Sequence, residues 1–458
     1  MAPKFGTSGL RGLVTDLTPD LIGAHVTAFL RACPVGTGLW VGRDLRDSSP
    51  RIAFDVIAAA RMAGVDVTDC GAIPTPALAL GAMGAGAAAV MITGSHIPAD
   101  RNGLKFYTPA GEITKAEETG ILANLGLSAP LGGRQGSLRQ TDPGPDFVSR
   151  YLRAYGAQAL VGQRIGVWSH SAVGRDLLIA TLRALGAEVV EIARATRFIP
   201  IDTEAVSNDT RALLARAVAT HGLDAIVSTD GDGDRPLLAD ATGQVVAGDV
   251  LGQITAQALG ARVVVTPVSS NTGVEALGFD RIIRTKIGSP FVIAGMESAG
   301  ETQVVGYEAN GGFLLGFDAT GPAGPLPRLM TRDSHLPILA PLVAAGRDGL
   351  AALVARSPAR FTAADRLQDV PTDRSAALVT KLAEDRDALV SFVACFGAGS
   401  VATMDRTDGL RLTLSSGRII HLRPSGNAPE LRFYAEAESH DAAMRLLATG
   451  LEVLRQQR

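Results

Sequence analysis

A serine, a histidine and a lysine occur close together in the sequence: Ser95, His96 and Lys105. The apolar run of residues 88–92 before them predicts a buried strand, and residues 104–107 predict a second, short strand. Ser95 is therefore expected in a tight loop at the carboxyl end of a buried strand, where open α/β sheets bind their ligands. A nucleophile and two titratable groups in one stretch make it a candidate catalytic site.

Two other interpretations of this serine have to be considered. A hydrolase nucleophile is disfavoured, because Thr93 and Ile97 stand where the G-x-S-x-G pattern has glycines. In an extended segment, His96 would also point away from the side that Ser95 faces. A serine that caps a turn or a helix is the other alternative, and this stretch alone does not exclude it. Whether Ser95 is a catalytic residue or a structural cap depends on the other polar loops of the chain.

Three aspartates at alternate positions, Asp230, Asp232 and Asp234, follow another apolar segment. Three negative charges so close together repel one another unless a cation lies among them. The pattern is not an EF-hand, because its sixth position is Arg235 instead of glycine and its twelfth is Ala241 instead of glutamate. Mg²⁺ prefers oxygen ligands and keeps room for water or phosphate, so the sequence predicts a magnesium site here. A solvated acidic turn is the alternative.

Residues that suit an anion are gathered near the end of the chain. Two arginines, a hydroxyl, an amide and a glycine occur in one segment: Arg423, Ser425, Gly426, Asn427 and Arg432. This is the composition of a phosphate-binding loop, although a charged hairpin without a ligand would look similar. Near the other end of the chain, the glycine-rich residues 5–12 include Arg11, which we expect to contact a second anion.

Two further polar loops follow predicted strands. Glu308 and Asn310 offer an acceptor and an amide beside two glycines, a combination that binds polyols but also occurs in ordinary turns. Lys286 follows the predicted strand of residues 280–285, and we take it, together with Arg235, as a candidate substrate-binding residue. The chain contains no G-x-x-x-x-G-K-[ST] motif, so nothing supports ATP bound in a P-loop.

The strands and helices that must position these loops alternate in three similar passes of about 100 residues each. Each pass reads as a βαβ unit that delivers one polar loop at a strand end, whereas the last part of the chain has mostly hairpin strands. We predict an α/β fold of three similar βαβ domains with mixed sheets, plus a C-terminal α+β domain, around a central cleft. The predicted domains are residues 1–144, 145–250, 251–365 and 366–458.

Composition argues against several classes of partner. The 458 residues carry a net charge of −3, which gives no support for nucleic acid, and no apolar run reaches the ~18 residues of a membrane span. The first residues lack the apolar core of a signal peptide, and the three cysteines suit neither a disulfide framework nor a metal site. We therefore expect a cytoplasmic protein with a small-molecule ligand, and the sequence leaves open whether it is a monomer or a homodimer.

Five segments together resemble the signature loops of the α-D-phosphohexomutase family, which includes phosphomannomutase, phosphoglucomutase and phosphoglucosamine mutase. They are FGTSGLRG, TGSHIPADRNGLKFY, DGDGDR, YEANGG and RPSGNAPELR, and their order and spacing extend the resemblance over nearly the whole chain. The resemblance implies four domains, a phosphoserine at Ser95, and Mg²⁺ held by the seryl phosphate and the three aspartates. It also implies a hexose 1,6-bisphosphate as intermediate and activator.

The same resemblance assigns roles to the remaining candidate residues. Arg11 would lie against the seryl phosphate, and His96 and Lys105 would lie beside the transferred group. Because transfer to a hydroxyl also moves a proton, we take Lys105 as the candidate proton shuttle. A sugar site is implied at Glu308 and Asn310. The implied phosphate site consists of Arg423, Ser425, Asn427 and Arg432.

Three loops depart from the family pattern. The serine loop of the family usually reads T-A-S-H-N-P, the sugar loop E-x-S-G-H and the phosphate loop G-T-E-P. The residues that differ in this chain are Gly94, Ile97, Asn310, Gly312, Asn427 and Ala428. Neither the nucleophile nor an implied metal ligand is changed, but the differences in the sugar loop leave the identity of the hexose open.

These roles predict a phosphohexomutase. The C1 and C6 atoms of a hexose are too far apart for a phosphate to migrate directly, so Ser95 would donate a phosphoryl group to the free hydroxyl and recover the other one. Mannose and glucose phosphates are expected over glucosamine phosphate, because FGTSGLRG resembles the hexose enzymes more than the FGTDGIRG of the amino-sugar enzymes. The alternatives are a phosphoglucosamine mutase, a metal-dependent sugar-nucleotide transferase and a sugar-phosphate-binding protein without turnover.

Overall fold

The computed structural model describes residues 3–6, 9–127, 133–300, 302–425 and 429–456 of the chain. Within these residues, four main sheets follow one another along the sequence, each packed with helices. The arrangement confirms the predicted class, an α/β fold with three similar units and a C-terminal α+β unit. We number these units one to four in chain order.

The elements of the first two units alternate along the chain. Unit one contains β1 (Lys4–Phe5), β2 (Leu10–Leu13), α1 (Pro19–Ala32), β3 (Leu39–Arg43), α2 (Ser49–Met62), β4 (Val67–Ala72), α3 (Thr75–Gly84), β5 (Ala88–Ile92), β6 (Arg101–Thr108), β7 (Gly111–Glu112), α4 (Lys115–Ala123) and β8 (Leu138–Gln140). Unit two contains α5 (Gly144–Tyr155), β9 (Arg164–His170), α6 (Arg175–Ala184), β10 (Glu188–Arg194), α7 (Asn208–His221), β11 (Ala225–Thr229) and β12 (Pro236–Ala239).

The last two units complete the described chain. Unit three contains α8 (Gly248–Ala258), β13 (Val263–Pro267), a 3-10 helix (Thr272–Ala276), β14 (Arg281–Thr285), α9 (Ser289–Ser298), β15 (Val304–Tyr307), β16 (Phe313–Leu315), β17 (Ala319–Thr320), β18 (Pro325–Leu326), β19 (Leu329–Asp333), α10 (Leu336–Ala345) and α11 (Leu350–Ala355). Unit four contains β20 (Phe361–Gln368), α12 (Thr372–Glu384), α13 (Arg386–Ala394), β21 (Val401–Asp405), β22 (Leu410–Leu414), β23 (Ile419–Pro424), β24 (Glu430–Ala437) and α14 (His440–Gln456).

Units one to three share one strand order. Four neighbouring strands run β4-β3-β5-β6 in unit one, β10-β9-β11-β12 in unit two and β14-β13-β15-β16 in unit three. In each unit the first three of these strands are parallel, and the fourth is antiparallel to the third. Parallel strands that are covered on both faces need continuous apolar sequences, which accounts for runs such as VVVTP in β13.

The polar loops recognised in the sequence occupy the same place in each unit. Ser95 lies between β5 and β6, the three aspartates lie between β11 and β12, and Glu308 lies between β15 and β16. Each loop therefore joins the third parallel strand to its antiparallel partner, at the carboxyl end of the parallel strands. In unit four, Ser425 follows β23 and precedes β24. The fold thus delivers one polar loop per unit, as the sequence predicted.

Unit four is an antiparallel sheet in the order β20-β24-β23-β22-β21. Strand β20 crosses the predicted boundary after residue 365 and pairs with β24 along its whole length, so the last sheet begins before that boundary. Helices α12 and α13 are separate at Asp385, because its side chain accepts hydrogen bonds from the Asp387 and Ala388 amides and begins a new helix. The domain boundaries themselves remain predictions.

Apolar packing joins the first three units and leaves the fourth with its own core. One buried cluster contains Trp40 of unit one, Tyr151 and Leu178 of unit two, and Tyr307 of unit three. A separate cluster surrounds Phe433 in unit four. The shared core fixes units one to three relative to one another, so their three polar loops keep a defined geometry. Across the described ranges, no helix is both long and apolar enough to cross a membrane.

Candidate active site

Ser95 is held in a backbone conformation that serine rarely adopts. Its φ is +52°, and only 2% of the residue is exposed. Its backbone N–H donates to Thr93 Oγ1 at 2.7 Å, and its Oγ donates to Asp230 Oδ2 at 2.5 Å. A left-handed conformation costs a residue with a side chain about 1–3 kcal/mol, so the surrounding structure must support it. The hydroxyl thereby faces the acidic loop of unit two.

Arg46, which the sequence analysis did not identify, supplies that support. Its buried guanidinium forms an ion pair with Asp44, with 3.1 Å between Nε and Oδ2. It also donates at 2.6–3.1 Å to the carbonyl oxygens of Ser95, Ile97, Pro98 and Arg101. A planar, five-donor group is suited to several acceptors at once, so one side chain fixes most of the serine loop. The only available signal was its position just after a buried strand.

Arg46 also accounts for one departure from the family pattern. A Cβ atom built on Gly94 would lie 2.5 Å from Cζ of Arg46 and 2.7 Å from its Nε. An alanine at position 94 would therefore require the guanidinium to move. Glycine at this position allows the serine loop to lie directly against the buried arginine.

The loop between β10 and α7 connects the serine loop to the loops of units two and three. The ring centroid of Phe198 lies 4.0 Å from Cζ of Arg46, which is a cation–π contact. The same ring lies 3.0 Å from where a Cβ atom on Gly231 would be, so it also packs on the acidic loop. Thr203 Oγ1 donates to the Asn310 carbonyl oxygen at 3.4 Å. The sequence analysis did not assign a function to this segment.

The three aspartates form a compact, buried group. Their nearest carboxylate oxygens all lie within 4.8 Å of one another, and all three residues are fully buried. Burial, and then the charges of Asp232 and Asp234, raise the pKa of Asp230 well above its usual range. Burial also acts to raise the pKa of Asp232, but the charge and hydrogen bond of Lys105 and a hydrogen bond from Thr75 outweigh it, and that pKa is lowered.

Lys105 lies directly on this acidic group. Its Nζ is 2.5 Å from Oδ2 of both Asp232 and Asp234, and the residue is buried. The Oδ1 atoms of Asp232 and Asp234 are buried without a hydrogen-bond partner. A buried carboxylate oxygen that lacks a donor is costly, and a hard cation satisfies it. The residues therefore fit a divalent metal ion.

His96 and two arginines surround the serine. Arg235 Nη1 donates to His96 Nδ1 at 2.8 Å. Burial, and then the charge of Arg235, lower the pKa of His96 to about 3, so the imidazole is neutral and its Nε2 carries the proton. Arg11 donates to the Thr93 carbonyl oxygen. Burial lowers the pKa of Arg11 to about 10, which leaves it charged near neutral pH.

The sugar-loop candidates are connected to the acidic loop by a second residue that the sequence analysis missed, Arg332. Its Nη1 donates to Glu308 Oε2 at 3.1 Å, and its Nη2 lies 2.7 Å from Asp234 Oδ2. Asn310 uses its Oδ1 to accept the Gly312 amide at 3.0 Å, so this side chain stabilises its own loop. Glu308 is thus connected to the acidic group beside Ser95 through Arg332.

A second group of candidates lies at the junction of units three and four. Arg423 and Arg432 are directly opposite each other on β23 and β24. Two like charges at such positions repel each other, and an anion between them would relieve the repulsion. Asp408 Oδ2 accepts from Arg423 Nε at 2.8 Å and from the Ile287 amide at 2.9 Å, which brings the arginine next to the Lys286 loop.

The other predicted members of this second group are placed as follows. Ser425 is buried, and its N–H donates to the Glu430 carbonyl oxygen at 2.9 Å. Lys286 is exposed, with its Nζ 5.9 Å from the ring centroid of Phe291. The predicted phosphate-binding residues Gly426 and Asn427 lie outside the described residues.

Glu204 connects the two groups electrostatically. Its carboxylate interacts electrostatically with charges from three units: Arg235 of unit two, Glu308 of unit three and Arg432 on β24 of unit four. The side chain keeps access to solvent, but the surrounding protein displaces much of its water. This loss of water, and then the charge of Asp202, raise the pKa of Glu204 to about 7. Charged side chains of the second, third and fourth units are therefore near enough to interact electrostatically through Glu204.

Known proteins are similar to this chain over nearly its whole length. Phosphoglucomutase/phosphomannomutase α/β/α domains I, II and III match residues 2–126, 146–243 and 239–360, and the C-terminal domain of the same proteins matches residues 367–452. The chain is 46% identical to a phosphomannomutase of Sinorhizobium fredii over 471 aligned residues, which cover 99% of each chain. It is 34% identical to a phosphoglucosamine mutase of Symbiobacterium thermophilum over 71% of this chain and 77% of that protein.

The fold has solved counterparts as well. A phosphoglucomutase/phosphomannomutase family protein from Burkholderia thailandensis superimposes with a TM-score of 0.77, at 21% identity, and the match covers 98% of this chain and 96% of that one. Matches to all four domains define the class, an isomerase that moves a phosphoryl group within hexose phosphates. The chain belongs to the phosphoglucomutase/phosphomannomutase family, which confirms the resemblance in its loops.

Arg46→Lys is expected to lower kcat by up to about 10²-fold in a folded protein, because small displacements of a reacting group have effects of this size. Lysine keeps the charge beside Asp44 but cannot donate to four carbonyl oxygens in one plane. The matched control is Arg51→Lys, a partly exposed arginine that pairs with Asp55 at 2.9 Å and should retain activity within a few-fold. Steady-state kinetics with circular dichroism test this, and normal turnover by Arg46→Lys would contradict the role of Arg46.

Proposed function

We propose that this enzyme interconverts the 6-phosphate and the 1-phosphate of mannose, glucose or both, through a phosphoserine at Ser95 and a hexose 1,6-bisphosphate. The observation that carries the proposal is the contact between Ser95 Oγ and Asp230 Oδ2, at 2.5 Å, on the edge of a buried group of three aspartates. The 46% identity to a phosphomannomutase over the whole chain supports mannose phosphate as one substrate.

The phosphoserine is needed because the two phosphate positions of a hexose are far apart. A hexose cannot pass a phosphate directly from one end to the other, so the phosphoryl group is carried by the enzyme. Ser95 donates the phosphoryl group to the free hydroxyl of the sugar. The resulting bisphosphate reorients in the site, and its other phosphoryl group is transferred back to Ser95. Arg11 lies beside the serine loop and offsets the negative charge of the phosphoserine, which is about −1.5 to −2.

The acidic group is proposed to hold Mg²⁺ through Asp230, Asp232 and Asp234, together with the Ser95 phosphate. The unpartnered Oδ1 atoms of Asp232 and Asp234 support this ligand set. When bound, such an ion neutralises charge on the transferred phosphoryl group. Lys105 partly balances the aspartate charges, because its Nζ lies 2.5 Å from Oδ2 of both Asp232 and Asp234.

Proton transfer is proposed to involve Lys105 at its Nζ. Attack by a sugar hydroxyl on the seryl phosphate requires loss of a proton, and the reverse step requires its return. Lysine can gain and lose a proton, whereas arginine cannot under these conditions. His96 is the second candidate, since its neutral ring presents an N–H at Nε2 while Arg235 occupies Nδ1.

Binding of the sugar phosphate is divided between the two groups of residues. Glu308 and Asn310 are proposed to contact sugar hydroxyls, and Arg235 the phosphoryl group near Ser95. The phosphate that is not transferred is assigned to three cationic and three small or polar residues: Lys286, Arg423, Arg432, Ser425, Gly426 and Asn427. The placement of Arg423 directly opposite Arg432 supports an anion site on the face of β23 and β24 that carries both side chains.

Other functions fit the molecule less well. A sugar-nucleotide transferase needs a nucleotide site and does not need a nucleophilic serine beside the acidic group. A non-catalytic binding protein needs neither the serine nor the acidic group. A phosphoglucosamine mutase remains the nearest alternative, but the similarity to such an enzyme is lower, at 34% identity over part of the chain. We further propose a cytoplasmic location, and a monomeric or homodimeric state stays a prediction.

The experiment that tests the function is a competition assay with the 1-phosphates of mannose, glucose and glucosamine, with added hexose 1,6-bisphosphate. We expect turnover of the mannose and glucose esters in preference to the glucosamine ester. Intact mass should show one added phosphate, located at Ser95. A clear preference for the glucosamine ester would favour the alternative, and turnover without any seryl phosphate would exclude the mechanism.

Asp232→Asn is expected to abolish turnover while the protein stays folded. The substitution removes one of three charges that hold the cation and leaves the shape of the loop unchanged. Asp209→Asn, at an exposed position in the first turn of α7, serves as the control and should be active. The measurement is kcat in chelator-treated buffer with Mg²⁺ restored. Full activity of Asp232→Asn under these conditions would show that the ligand assignment is wrong.

Lys105→Arg keeps the positive charge between Asp232 and Asp234 and removes the group that can titrate. General acid–base catalysis typically contributes about 10²–10⁴-fold, and we expect a loss of kcat of that order. Phosphorylation of Ser95, read by intact mass, should persist. The control is Lys115→Arg, a partly exposed lysine that pairs with Glu118 at 2.6 Å on α4. If Lys105→Arg turns over within a few-fold of the wild type, Lys105 is not the proton-transfer group and His96 becomes the better candidate.

A further inference from the structure

Arg332 lies on β19 where the first three units meet, and only 2% of the residue is exposed. Its guanidinium contacts one carboxylate from each unit: Glu112 Oε1 at 3.6 Å, Asp234 Oδ2 at 2.7 Å and Glu308 Oε2 at 3.1 Å. Burial acts to lower the pKa of Arg332, but the three carboxylates outweigh that effect and raise it. A permanent positive charge therefore lies between the acidic loop and the sugar loop.

The side chain of Arg332 fills the space beside Gly312. A Cβ atom on Gly312 would lie 2.9 Å from Cδ of Arg332 and 3.2 Å from its Cγ. The family pattern has a histidine at position 312, and a side chain of that size cannot coexist with Arg332 in its present position. β16 pairs with β19 beside this point, with Phe313 opposite Asp333. In this chain the basic group of the sugar site is therefore supplied by β19 and not by the sugar loop.

We propose that Arg332 is a positioning and specificity-determining residue, which holds Glu308 for the hydroxyl groups of a neutral hexose phosphate and disfavours an amino sugar phosphate. This inference rests on the proposed function, because it assumes that Glu308 contacts the sugar. A carboxylate that is paired with a guanidinium can still accept a hydrogen bond from a hydroxyl. It attracts an ammonium group much less, because its charge is already neutralised and the ammonium is repelled by the arginine.

The surrounding charges determine which sugar phosphate the site would prefer without Arg332. Without Arg332, Glu308 and Glu112 would lose a cation that contacts both, whereas Asp234 would keep Lys105, with Nζ at 2.5 Å. The uncompensated carboxylate of Glu308 would then favour a cationic sugar over a neutral one. A neutral hexose would also bind less well, because Glu308 would lose the contact that fixes its orientation.

The test compares Arg332→Met with Arg332→Lys and with the control Arg328→Met, which changes an exposed arginine just before β19. We would measure kcat/KM for mannose 1-phosphate and glucosamine 1-phosphate at slightly acidic pH, where the amine of the second ester is protonated. For Arg332→Met we expect the ratio of the two values to shift by about tenfold or more toward the glucosamine ester, mainly through KM. Arg332→Lys should keep most of the wild-type ratio, and Arg328→Met should not change it.

A second variant serves if Arg332→Met does not fold. Gly312→Ala places a Cβ atom against Cδ of Arg332 and should displace the guanidinium from Glu308, so the ratio should shift in the same direction by a few-fold. If Arg332 had a purely structural role, its loss would lower kcat/KM equally for both esters and leave their ratio unchanged. That result in folded variants would overturn this inference but not the proposed function. A wild-type enzyme that turns over neither ester would overturn the proposed function, and this inference with it.

Discussion

The structure depends on the compensation of negative charge that is buried around one serine. Asp230, Asp232 and Asp234 are fully enclosed, and such charges are tolerated only where cations and donors balance them. Lys105 comes from unit one and Arg332 from unit three, while Arg235 belongs to the acidic loop itself. The acidic group of unit two is therefore stable only when the neighbouring units are in place. The site is therefore complete only where the three units pack together.

Much of this organisation was accessible from the sequence, because the signals were local. Apolar runs that end in polar loops predicted the parallel strands, and the alternation of strands and helices predicted three similar units. The strand order confirms this, since Ser95, the three aspartates and Glu308 all lie in the hairpin that follows the third parallel strand. The short hairpins of unit four were equally readable, because Gly409 and Gly417 have φ values of +86° and +79° in their turns.

The sequence could not indicate residues whose importance comes from contacts distant along the chain. Arg46 and Arg332 are two members of a large arginine population, and only the folded chain brings one to four carbonyl oxygens and the other to three carboxylates. Phe198 lies in a segment without a recognisable sequence pattern. Its role is visible only in the folded chain, where its ring stacks on Arg46. Helix α3 shows a different limit of sequence patterns. Its sequence, TPALALGAMG, is apolar on most sides, so it shows no periodicity that would distinguish a helix from a buried strand.

The close packing of Gly312 against Arg332 makes these two positions interdependent. A Cβ atom built on Gly312 would lie 2.9 Å from Cδ of Arg332, so any side chain at position 312 displaces the arginine. The same Cβ atom would not meet this contact if position 332 carried a short side chain. The effects of substitutions at the two positions are therefore coupled, because residues in direct contact do not contribute independently to stability or binding.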